Sequence, residues 1–413
     1  EVVLSESVRG ATVTLHRLPL ELKQPFVTSH SVSTTRCNAL VTIEVDGVAG
    51  LGEAGLPPLK PGCYEATFAD VEEYFRAFCL AGAETDRVAS DPFAGTPPRF
   101  FPRLRSPTEW RSDDHVRQLL CALDAVPLNS EPRSRPAQNA IETAILDCWA
   151  KGLNVPLHEL IFPGVAREKD STSALGLYTV SIGDEQAVQS SASFGRRYTP
   201  HLKVKLDGDL EQAERTLAVL QQQEECVVDA NCAWTPEVAL AALPLLKRFR
   251  VNIVEQPFPL QLLKQHQSAE ALSSWSAVKK AYESEGVQLY ADESIAIEPD
   301  AALFQPLVHG VNVKLDKTGG FRSALRLIDS AQRLHLEVWI GMMVASTVAA
   351  SAAAQLLPLA KHADLDGGLL VADHSQSRFI GGLEWPSGPS LGMLTPPRSP
   401  GISVTLRTAE QRH

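Results

Sequence analysis

The chain has 413 residues, of which 44% are hydrophobic and 21% charged, so it can bury a large core and lacks the composition of a disordered protein. Its 38 Lys and Arg against 49 Asp and Glu give a formal net charge of −11, and the sequence contains no run of basic residues. This charge argues against a nucleic acid or an anionic membrane as a partner. No apolar stretch reaches the ~18 residues that a membrane span needs.

The seven cysteines form no CxxC pair and show no Cys/His spacing typical of a metal site. Their odd number favours reduced, mostly buried thiols, which indicates a reducing compartment and a cytoplasmic protein. Because the sequence begins with Glu1 rather than Met, a removed targeting leader is left open.

The N-terminal 164 residues are predicted to form an α+β domain. Val2–Leu15 and Ala39–Val48 alternate between apolar and polar side chains as strands do, whereas Leu18–Arg36 shows neither period and is interpreted as a loop. The proline-rich segment Ala83–Asp113 is interpreted as a surface insertion. The predicted helices are Tyr64–Leu80, Asp114–Leu123 and Pro136–Leu153.

From about Tyr178 the sequence changes to short apolar strands that alternate with helical stretches. Eight such units predict parallel strands that close into a (β/α)8 barrel. We therefore predict an α/β fold with a (β/α)8-type barrel (a modified TIM barrel) over 165–375, and an N-terminal α+β capping domain over 1–164 that is completed by the tail, 376–413. The predicted strands are Leu177–Ile182, Leu202–Leu206, Cys226–Asp229, Val251–Glu255, Val287–Asp292, Val311–Leu315, Val338–Gly341 and Ala363–Asp366.

The alternative fold is an open, doubly wound sheet that would bind its ligand at a glycine-rich first turn. One GxGxxG match occurs at 50–55, but it follows an antiparallel hairpin and is followed by two prolines. It is therefore interpreted as a chance match and not as a phosphate-binding turn.

Acidic residues stand at the carboxyl ends of predicted barrel strands, where active sites of this fold lie. Asp229, Glu255 and Asp292 end strands three, four and five. Three carboxylates that converge there would repel one another unless a cation bound them, and an all-oxygen ligand set suits Mg²⁺ or Mn²⁺. Each of these residues alone could instead be a helix N-cap or form a salt bridge. Three carboxylates at the ends of successive strands favour a metal site.

Lysines flank these carboxylates on both sides. Lys203 and Lys205 lie on one face of strand two, and Lys314 lies on strand six. A lysine beside another ammonium and a metal should have a lowered pKa, so two of them could remove a proton from one face of a carbon and return it to the other. The alternative is that Lys203 and Lys205 are structural partners of Asp229.

The segments LKVKLDG, VVDANCAWTPEVAL, VEQP, ADES and NVKLDKTGG resemble the muconate-lactonising subgroup of the enolase superfamily, and the resemblance covers nearly the whole chain. It implies that Lys205 and Lys314 are opposite acid/base groups and that Lys203 assists them electrostatically. The resemblance also implies that Asp229, Glu255 and Asp292 bind Mg²⁺.

The eighth strand distinguishes members of this subgroup. Asp364-Leu365-Asp366 is similar to the DxD motif of dipeptide epimerases, in which two carboxylates hold the free α-ammonium of the substrate. The alternative for this motif is a turn with capping carboxylates.

The resemblance thus implies a Mg²⁺-dependent epimerase that inverts the α-carbon of the second residue of an L,L-dipeptide. The route is a two-base 1,1-proton transfer through a metal-stabilised enediolate. N-acylamino acid racemisation, o-succinylbenzoate synthesis and muconate cycloisomerisation stay open as alternatives, as does a non-catalytic relative. Because related enzymes often form homo-oligomers, a homo-oligomer is expected.

Substrate contacts are implied for Thr179, Phe26 and Ser346, and Lys23–Thr35 corresponds to the lid of the capping domain. Ordinary packing is an equal alternative for Thr179 and Phe26.

Relatives that act on Ala-Glu carry an arginine in the lid, at the place that Ser31 takes here. Arg36 lies further along the chain, and its reach into the site is open. This departure puts an acidic second residue in doubt.

Overall fold

The computed structural model describes residues 1–84, 91–106, 108–126, 132–163, 173–220, 226–260 and 269–407. An antiparallel sheet with helices packed on it forms the N-terminal part, and a barrel of parallel strands follows. This architecture confirms the predicted fold class. The boundary predicted at 164 lies outside the described residues, so the division into 1–164 and 165–375 stays a prediction. Within the described ranges, no helix is both long and apolar enough to cross a membrane.

The N-terminal sheet is an antiparallel meander of four strands in chain order. Its second and third strands extend far beyond the sheet as a two-stranded arm, in which Phe26 pairs with Ser33 and Thr28 with Ser31. The prediction of a loop over Leu18–Arg36 is therefore wrong. The strands are β1 (Val2–Val8), β2 (Ala11–Thr28), β3 (Ser31–Val45) and β4 (Val48–Ala54).

Apolar and polar residues alternate poorly in the arm because no sheet packs on either of its faces, so neither face has to be apolar. It reaches instead across to loops of the barrel. The Ile182 N–H donates to the Val27 carbonyl at 3.2 Å, and the Ala372 N–H donates to the Glu21 carbonyl at 2.8 Å. The arm therefore lies over the end of the barrel at which these loops emerge.

Four described α-helices accompany the N-terminal sheet, and the segment between the first two is partly buried where the structure describes it. Phe93 stacks on Phe101 with ring centroids 4.8 Å apart, and Phe93 also contacts Trp149 at 6.1 Å. The predicted surface insertion is thus wrong for the phenylalanines of residues 91–106, which lie in the core of this domain, whereas about half of these residues are exposed. The helices are α1 (Phe68–Glu84), α2 (Asp113–Asp124), α3 (Arg135–Gly152) and α4 (Leu157–Ile161).

Helix α3 is the central helix of the molecule, since 14 of its 18 residues are buried. The glycines of the GxGxxG match explain how close β4 comes to it: a Cβ on Gly50 would lie 2.0 Å from the Ala144 carbonyl oxygen, and one on Gly52 would lie 1.9 Å from that of Ala140. The match lies on an antiparallel strand and serves packing, as the chance-match interpretation requires.

Replacing Gly52 with alanine should therefore destabilise the protein by ~2–3 kcal/mol or more, because the new methyl group would overlap a helix backbone that cannot move away. The measurement is the shift of the urea denaturation midpoint. Gly208→Ala is the matched control, since its Cβ would meet only the Ala233 carbonyl oxygen at 3.4 Å. Equal midpoints for the two variants would contradict the packing argument.

The barrel contains eight parallel strands, and the first is split in two. Its first half pairs with the last strand and its second half with the second strand, so only Leu177 separates the two ends of the sheet and the barrel is closed. All eight predicted strands are confirmed. They are β5 (Ala174–Gly176) with β6 (Tyr178–Val180), β7 (Leu202–Lys205), β8 (Cys226–Asp229), β9 (Val251–Glu255), β10 (Gln288–Ala291), β11 (Gly310–Lys314), β12 (Glu337–Gly341) and β13 (His362–Asp364).

Helices follow the barrel strands as the βα pattern predicts. The described helices are α5 (Glu185–Gly195), α6 (Leu210–Leu220), α7 (Pro236–Arg248), α8 (Ala269–Glu283), α9 (Glu298–Phe304), α10 (Leu315–Thr318), α11 (Phe321–Arg333), α12 (Thr347–Ala354), α13 (Gly367–Leu370) and α14 (Asp373–Gln376).

The barrel interior is closed below the strand ends by a separate cluster of buried side chains. Successive side chains on a strand point to opposite faces, so each inward residue is followed two positions later by another. The polar residue at the strand end therefore points into the mouth of the barrel above this cluster. The cluster consists of Leu177, Val227, Ile253, Tyr290 and Trp339.

The tail returns to the N-terminal domain as predicted. The Leu157 N–H donates to the Gly401 carbonyl at 2.8 Å, and the Ile402 N–H donates to the Asp147 carboxylate at 2.7 Å. The tail also adds a short antiparallel strand to β5, which the sequence does not predict. Its strands are β14 (Phe379–Gly381), β15 (Met393–Leu394) and β16 (Val404–Leu406).

All seven cysteines are free thiols, but only Cys148 and Cys226 are buried. The expectation of mostly buried thiols is wrong for the other five, since Cys37 is exposed and the rest are partly buried.

Candidate active site

A cavity lies where the carboxyl ends of the barrel strands meet the two-stranded arm, with about 670 Å³ of space that is partly open to solvent. Side chains from the barrel and from the N-terminal domain both line it, so neither part of the chain forms it alone. Lys203, Lys205, Lys314, Asp364, Asp366 and Thr179 are the predicted barrel residues that line it.

The three predicted metal ligands converge as the strand-end argument requires. Each of Asp229, Glu255 and Asp292 offers a carboxylate oxygen, and these oxygens lie within 4.8 Å of one another. All three residues are buried at 0% exposure. Strands β8, β9 and β10 are adjacent in the sheet, which brings their carboxyl ends side by side.

Glu255 provides the test of whether a cation fits these residues. Its Oε1 accepts a hydrogen bond from Asn312 Nδ2 at 2.8 Å, but among the described residues its Oε2 accepts none, although Lys203 Nζ lies 2.7 Å away. Burial, followed by the charge of Asp229, raises the pKa of Glu255 to about 8. The buried oxygen without a hydrogen-bond donor and the all-oxygen donor set both fit a hard divalent cation.

Lysines from opposite sides of the barrel face this group of carboxylates. Lys205 Nζ lies 2.6 Å from Asp229 Oδ2, and Lys314 Nζ lies 2.7 Å from Asp292 Oδ2. Their strands, β7 and β11, are the second and sixth of eight and stand across the barrel from each other. The expected fall in lysine pKa is not found at Lys314: burial alone lowers it, but contact with Asp292 raises it above its ordinary value.

Lys203 lies at the centre of the carboxylates rather than at their edge. Its Nζ is 2.7 Å from both Glu255 and Asp364 and 3.2 Å from Asp229. Burial alone lowers the pKa of Lys203, but these carboxylates raise it well above the ordinary value. A permanent ammonium at this place suits an electrostatic role and explains how three buried carboxylates are tolerated together.

The two carboxylates of the DxD motif have different surroundings. Asp364 contacts Lys203 and also accepts a hydrogen bond from Trp339 Nε1 at 3.1 Å. Asp366 accepts one from the Thr179 N–H at 2.6 Å and has no cation within 4.0 Å in the described part of the chain. Burial, followed by the charge of Asp364, raises the pKa of Asp366 to about 6. Among the described residues that line the cavity, Asp366 is therefore the acidic group without a positive partner.

The remaining predicted substrate contacts are only partly brought together. Thr179 and Phe26 line the cavity, and the Phe26 ring lies 6.0 Å from Lys205 Nζ. Ser346 lies outside the lining: its hydroxyl donates to Glu53 Oε2 at 2.5 Å, and its Oγ caps the first turn of α12. Ser346 thus ties the barrel to the N-terminal sheet.

Two polar residues of the site, Asn312 and Lys317, lie within the segment NVKLDKTGG but were not given a role from the sequence. Asn312 precedes Lys314 by two positions, so the strand alternation that relates Lys203 to Lys205 could have identified it. Lys317 donates to the Asp292 carbonyl at 2.5 Å and also to its carboxylate. It reaches back through a tight helical turn after the strand, which alternation does not describe.

The chain is similar to a known family and to several known proteins. The family described as enolase C-terminal domain-like matches residues 186–410. An enolase superfamily member from Dictyostelium discoideum is 38% identical over 396 residues, which cover 88% of this chain and 90% of that protein. An L-Ala-D/L-amino acid epimerase from a Maribacter species is 27% identical over 365 residues, covering 87% of this chain and 90% of that one.

Among solved structures, the dipeptide epimerase from Enterococcus faecalis V583, complexed with Mg and the dipeptide L-Leu-L-Tyr, shares the fold with a TM-score of 0.73 at 21% identity. The match covers 95% of this chain and 98% of that one. Together with the family match over more than half of the sequence, these similarities show that the chain belongs to the enolase superfamily.

Proposed function

We propose that this isomerase is a Mg²⁺-dependent dipeptide epimerase that inverts the α-carbon of the second residue of an L,L-dipeptide. The observation that carries the proposal is one cavity that holds two lysines on opposite strands and, at the eighth strand, the acidic pair Asp364 and Asp366. The lysines suit removal of an α-proton, and the acidic pair suits a free amino group.

The proton moves between the two lysines through the substrate carbon. Lys205, as the neutral amine, accepts the α-proton from one face, while Lys314, as the ammonium, donates its proton to the other face. Asp292 favours the ammonium form of Lys314 by its contact at 2.7 Å. The reverse reaction exchanges these roles, so each lysine serves one epimer.

The substrate is held at both ends. Asp366, which has no cation of its own, accepts the α-ammonium, with Asp364 adding countercharge beside it. Asp229, Glu255 and Asp292 would hold Mg²⁺. Its positive charge would stabilise the negative charge that develops on the substrate carboxylate, and it would offset the charge of the nearby carboxylates that raise the pKa of Lys314. The Enterococcus enzyme, crystallised with Mg and a dipeptide, supports this assignment by similarity.

The alternative reactions of the same subgroup use substrates without a free α-ammonium and leave Asp366 unpaired in its buried position. Incubation with Mg²⁺ in D₂O and a library of L,L-dipeptides tests the proposal by mass spectrometry. Gain of one deuterium with inversion at the second residue is the expected result. Exchange with N-acylated amino acids alone would overturn it in favour of racemisation, and no exchange with either despite bound Mg²⁺ would favour a non-catalytic relative.

The pH dependence should report the charge of Asp366. Only its carboxylate form attracts the substrate ammonium, so this attraction is present above a pKa of about 6 and is lost as the pH falls through it. The value of kcat/KM for dipeptides should therefore decline about tenfold per pH unit below this point. The measurement is a pH–rate profile at saturating Mg²⁺.

Asp366→Asn is the matched control, since it can still accept the hydrogen bond from Thr179 but carries no charge. It should raise KM for free-amine dipeptides by ~10- to 100-fold and should not show this acidic decline. A wild-type profile with the same shape as that of the variant would show that another group causes the decline.

A further inference from the structure

Two cysteines from distant parts of the chain meet beside the active-site cavity. Cys63 lies in a loop of the N-terminal domain, residues 57–65, which we call the capping loop, and Cys232 lies in the loop that follows β8. Their thiols form a hydrogen bond with each other. Both cysteines are free and only partly buried. The reaction proposed above gives neither of them a role.

The capping loop forms part of the wall of the cavity. Pro57, Pro58 and Tyr64 line the cavity from this loop, and Asn231, directly before Cys232, lines it from the barrel. The two thiols therefore lie where the N-terminal domain and the barrel meet at the cavity. A bond between them would join the two parts of the chain at this place.

The capping loop packs only lightly on the rest of the molecule. No residue of 57–65 is fully buried, and Leu59 is 61% exposed. Lys60 connects the loop to the barrel, since its Nζ donates to the Asn231 carbonyl at 2.9 Å and lies 3.7 Å from Glu293 Oε1. A segment with so little buried apolar surface opens locally at a small cost in free energy. The loop is therefore able to move away from the barrel when substrate enters and product leaves.

The surroundings of the two thiols favour their reaction with an oxidant. The Lys60 ammonium is close enough to interact electrostatically with both sulfurs. A neighbouring cation stabilises the thiolate, which is the nucleophile in thiol–disulfide exchange. Because both cysteines are partly exposed, a small molecule in solution can reach them.

We propose that Cys63 and Cys232 are a modification site, at which a small-molecule disulfide such as oxidised glutathione converts them to a disulfide that fixes the capping loop to the barrel and slows turnover. One cysteine, as the thiolate, attacks the small disulfide, forms a mixed disulfide and releases one small thiolate. The other cysteine then attacks the sulfur of the first and displaces the second small thiolate. The two cysteines lose two electrons and two protons, and the small disulfide becomes two thiols.

The new bond should act on access to the cavity and not on the chemistry inside it. Neither cysteine is among the residues that line the cavity, so oxidation changes no group that faces the substrate. It replaces a contact that can open with a covalent bond that cannot. Opening of a loop over an active site limits turnover in many enzymes, and a loop that is bonded to the barrel cannot open.

The test treats the full chain with oxidised glutathione at pH 8, blocks the remaining thiols and maps disulfides by mass spectrometry after digestion. The expected product links the peptide of Cys63 to that of Cys232, is two hydrogens lighter than the two thiol peptides together, and is separated by dithiothreitol. Amide hydrogen exchange of residues 57–65 should slow by ~10-fold or more after oxidation. The kcat for dipeptides should fall by ~10-fold or more and recover on reduction.

Cys63→Ser and Cys232→Ser should each keep their loop exchange and turnover unchanged under the same treatment. Cys37→Ser is the matched control, because it removes an exposed thiol of β3 and should leave the link between Cys63 and Cys232 intact. Glutathione adducts without the link, or links between other cysteines alone, would overturn the modification site. A complete link that changes neither loop exchange nor turnover would overturn its effect on the loop.

Only the expected loss of turnover rests on the proposed function. Disulfide mapping and amide exchange need no substrate, so they decide whether the link forms and restrains the capping loop even if the protein epimerises no dipeptide. Epimerisation at an equal rate before and after complete oxidation would keep the proposed function and refute this inference.

Discussion

Replacing Lys205 or Lys314 with alanine should abolish epimerisation, with kcat falling by about 10³-fold or more, because each lysine is the base proposed for its face of the α-carbon. Exchange of the substrate α-proton with solvent should nevertheless continue in each variant. With one lysine gone, the other can still remove the α-proton of the epimer that faces it and return deuterium from D₂O to the same face. The measurement is deuterium incorporation and inversion, followed separately for each epimer.

The two variants should be complementary: Lys205→Ala exchanges one epimer without inversion, and Lys314→Ala exchanges the other. Lys361→Ala is the control, since this exposed lysine pairs with Glu337 at the opposite end of a strand and should leave turnover unchanged. Full two-way turnover in either active-site variant would show that the two-base scheme is wrong.

Removal of divalent cations by EDTA should eliminate turnover, and added Mg²⁺ should restore it. The carboxylates responsible can be tested without activity, by calorimetric titration of the protein with Mg²⁺ alone. Glu255→Gln keeps the side-chain volume and can keep the hydrogen bond from Asn312, but it removes one of three charges. Its affinity for Mg²⁺ should fall by ~100-fold or more.

Glu337→Gln is the matched control for this substitution, because Glu337 is a partly exposed strand residue that pairs with Lys361 away from the cavity. It should bind Mg²⁺ as the wild type does. Wild-type affinity in Glu255→Gln would remove Glu255 from the metal site, and absence of Mg²⁺ binding by the wild type would refute the site as a whole.

Sequence alone determined the barrel and the residues at its strand ends. Short apolar strands at near-constant spacing predict parallel βα units, and the carboxyl ends of such strands meet at one mouth. Once Asp229, Glu255 and Asp292 stand at three successive ends, their convergence follows from the sheet itself. The same local rule places Lys205 and Lys314 across the barrel, because their strands are four apart in a ring of eight.

The part of the cavity that comes from the N-terminal domain was decided only by the tertiary structure. The outer part of the arm formed by β2 and β3, residues 21–35, contains no buried residue, so it lacks the alternation that would identify a strand, and its contacts are with loops more than a hundred residues away. Ser346 likewise is bound by Glu53, on a strand that no local pattern connects to it.

The position of Arg36 shows the same limit most clearly. The reach of Arg36 was left open by the sequence, and the structure places it in the lining of the cavity together with Ser31, because the pairing of β2 with β3 continues from the sheet into the arm. Periodicity reports which face a side chain takes within its own element. Which distant surface that face meets depends on how the elements pack, and this packing decided which charges in the cavity are paired.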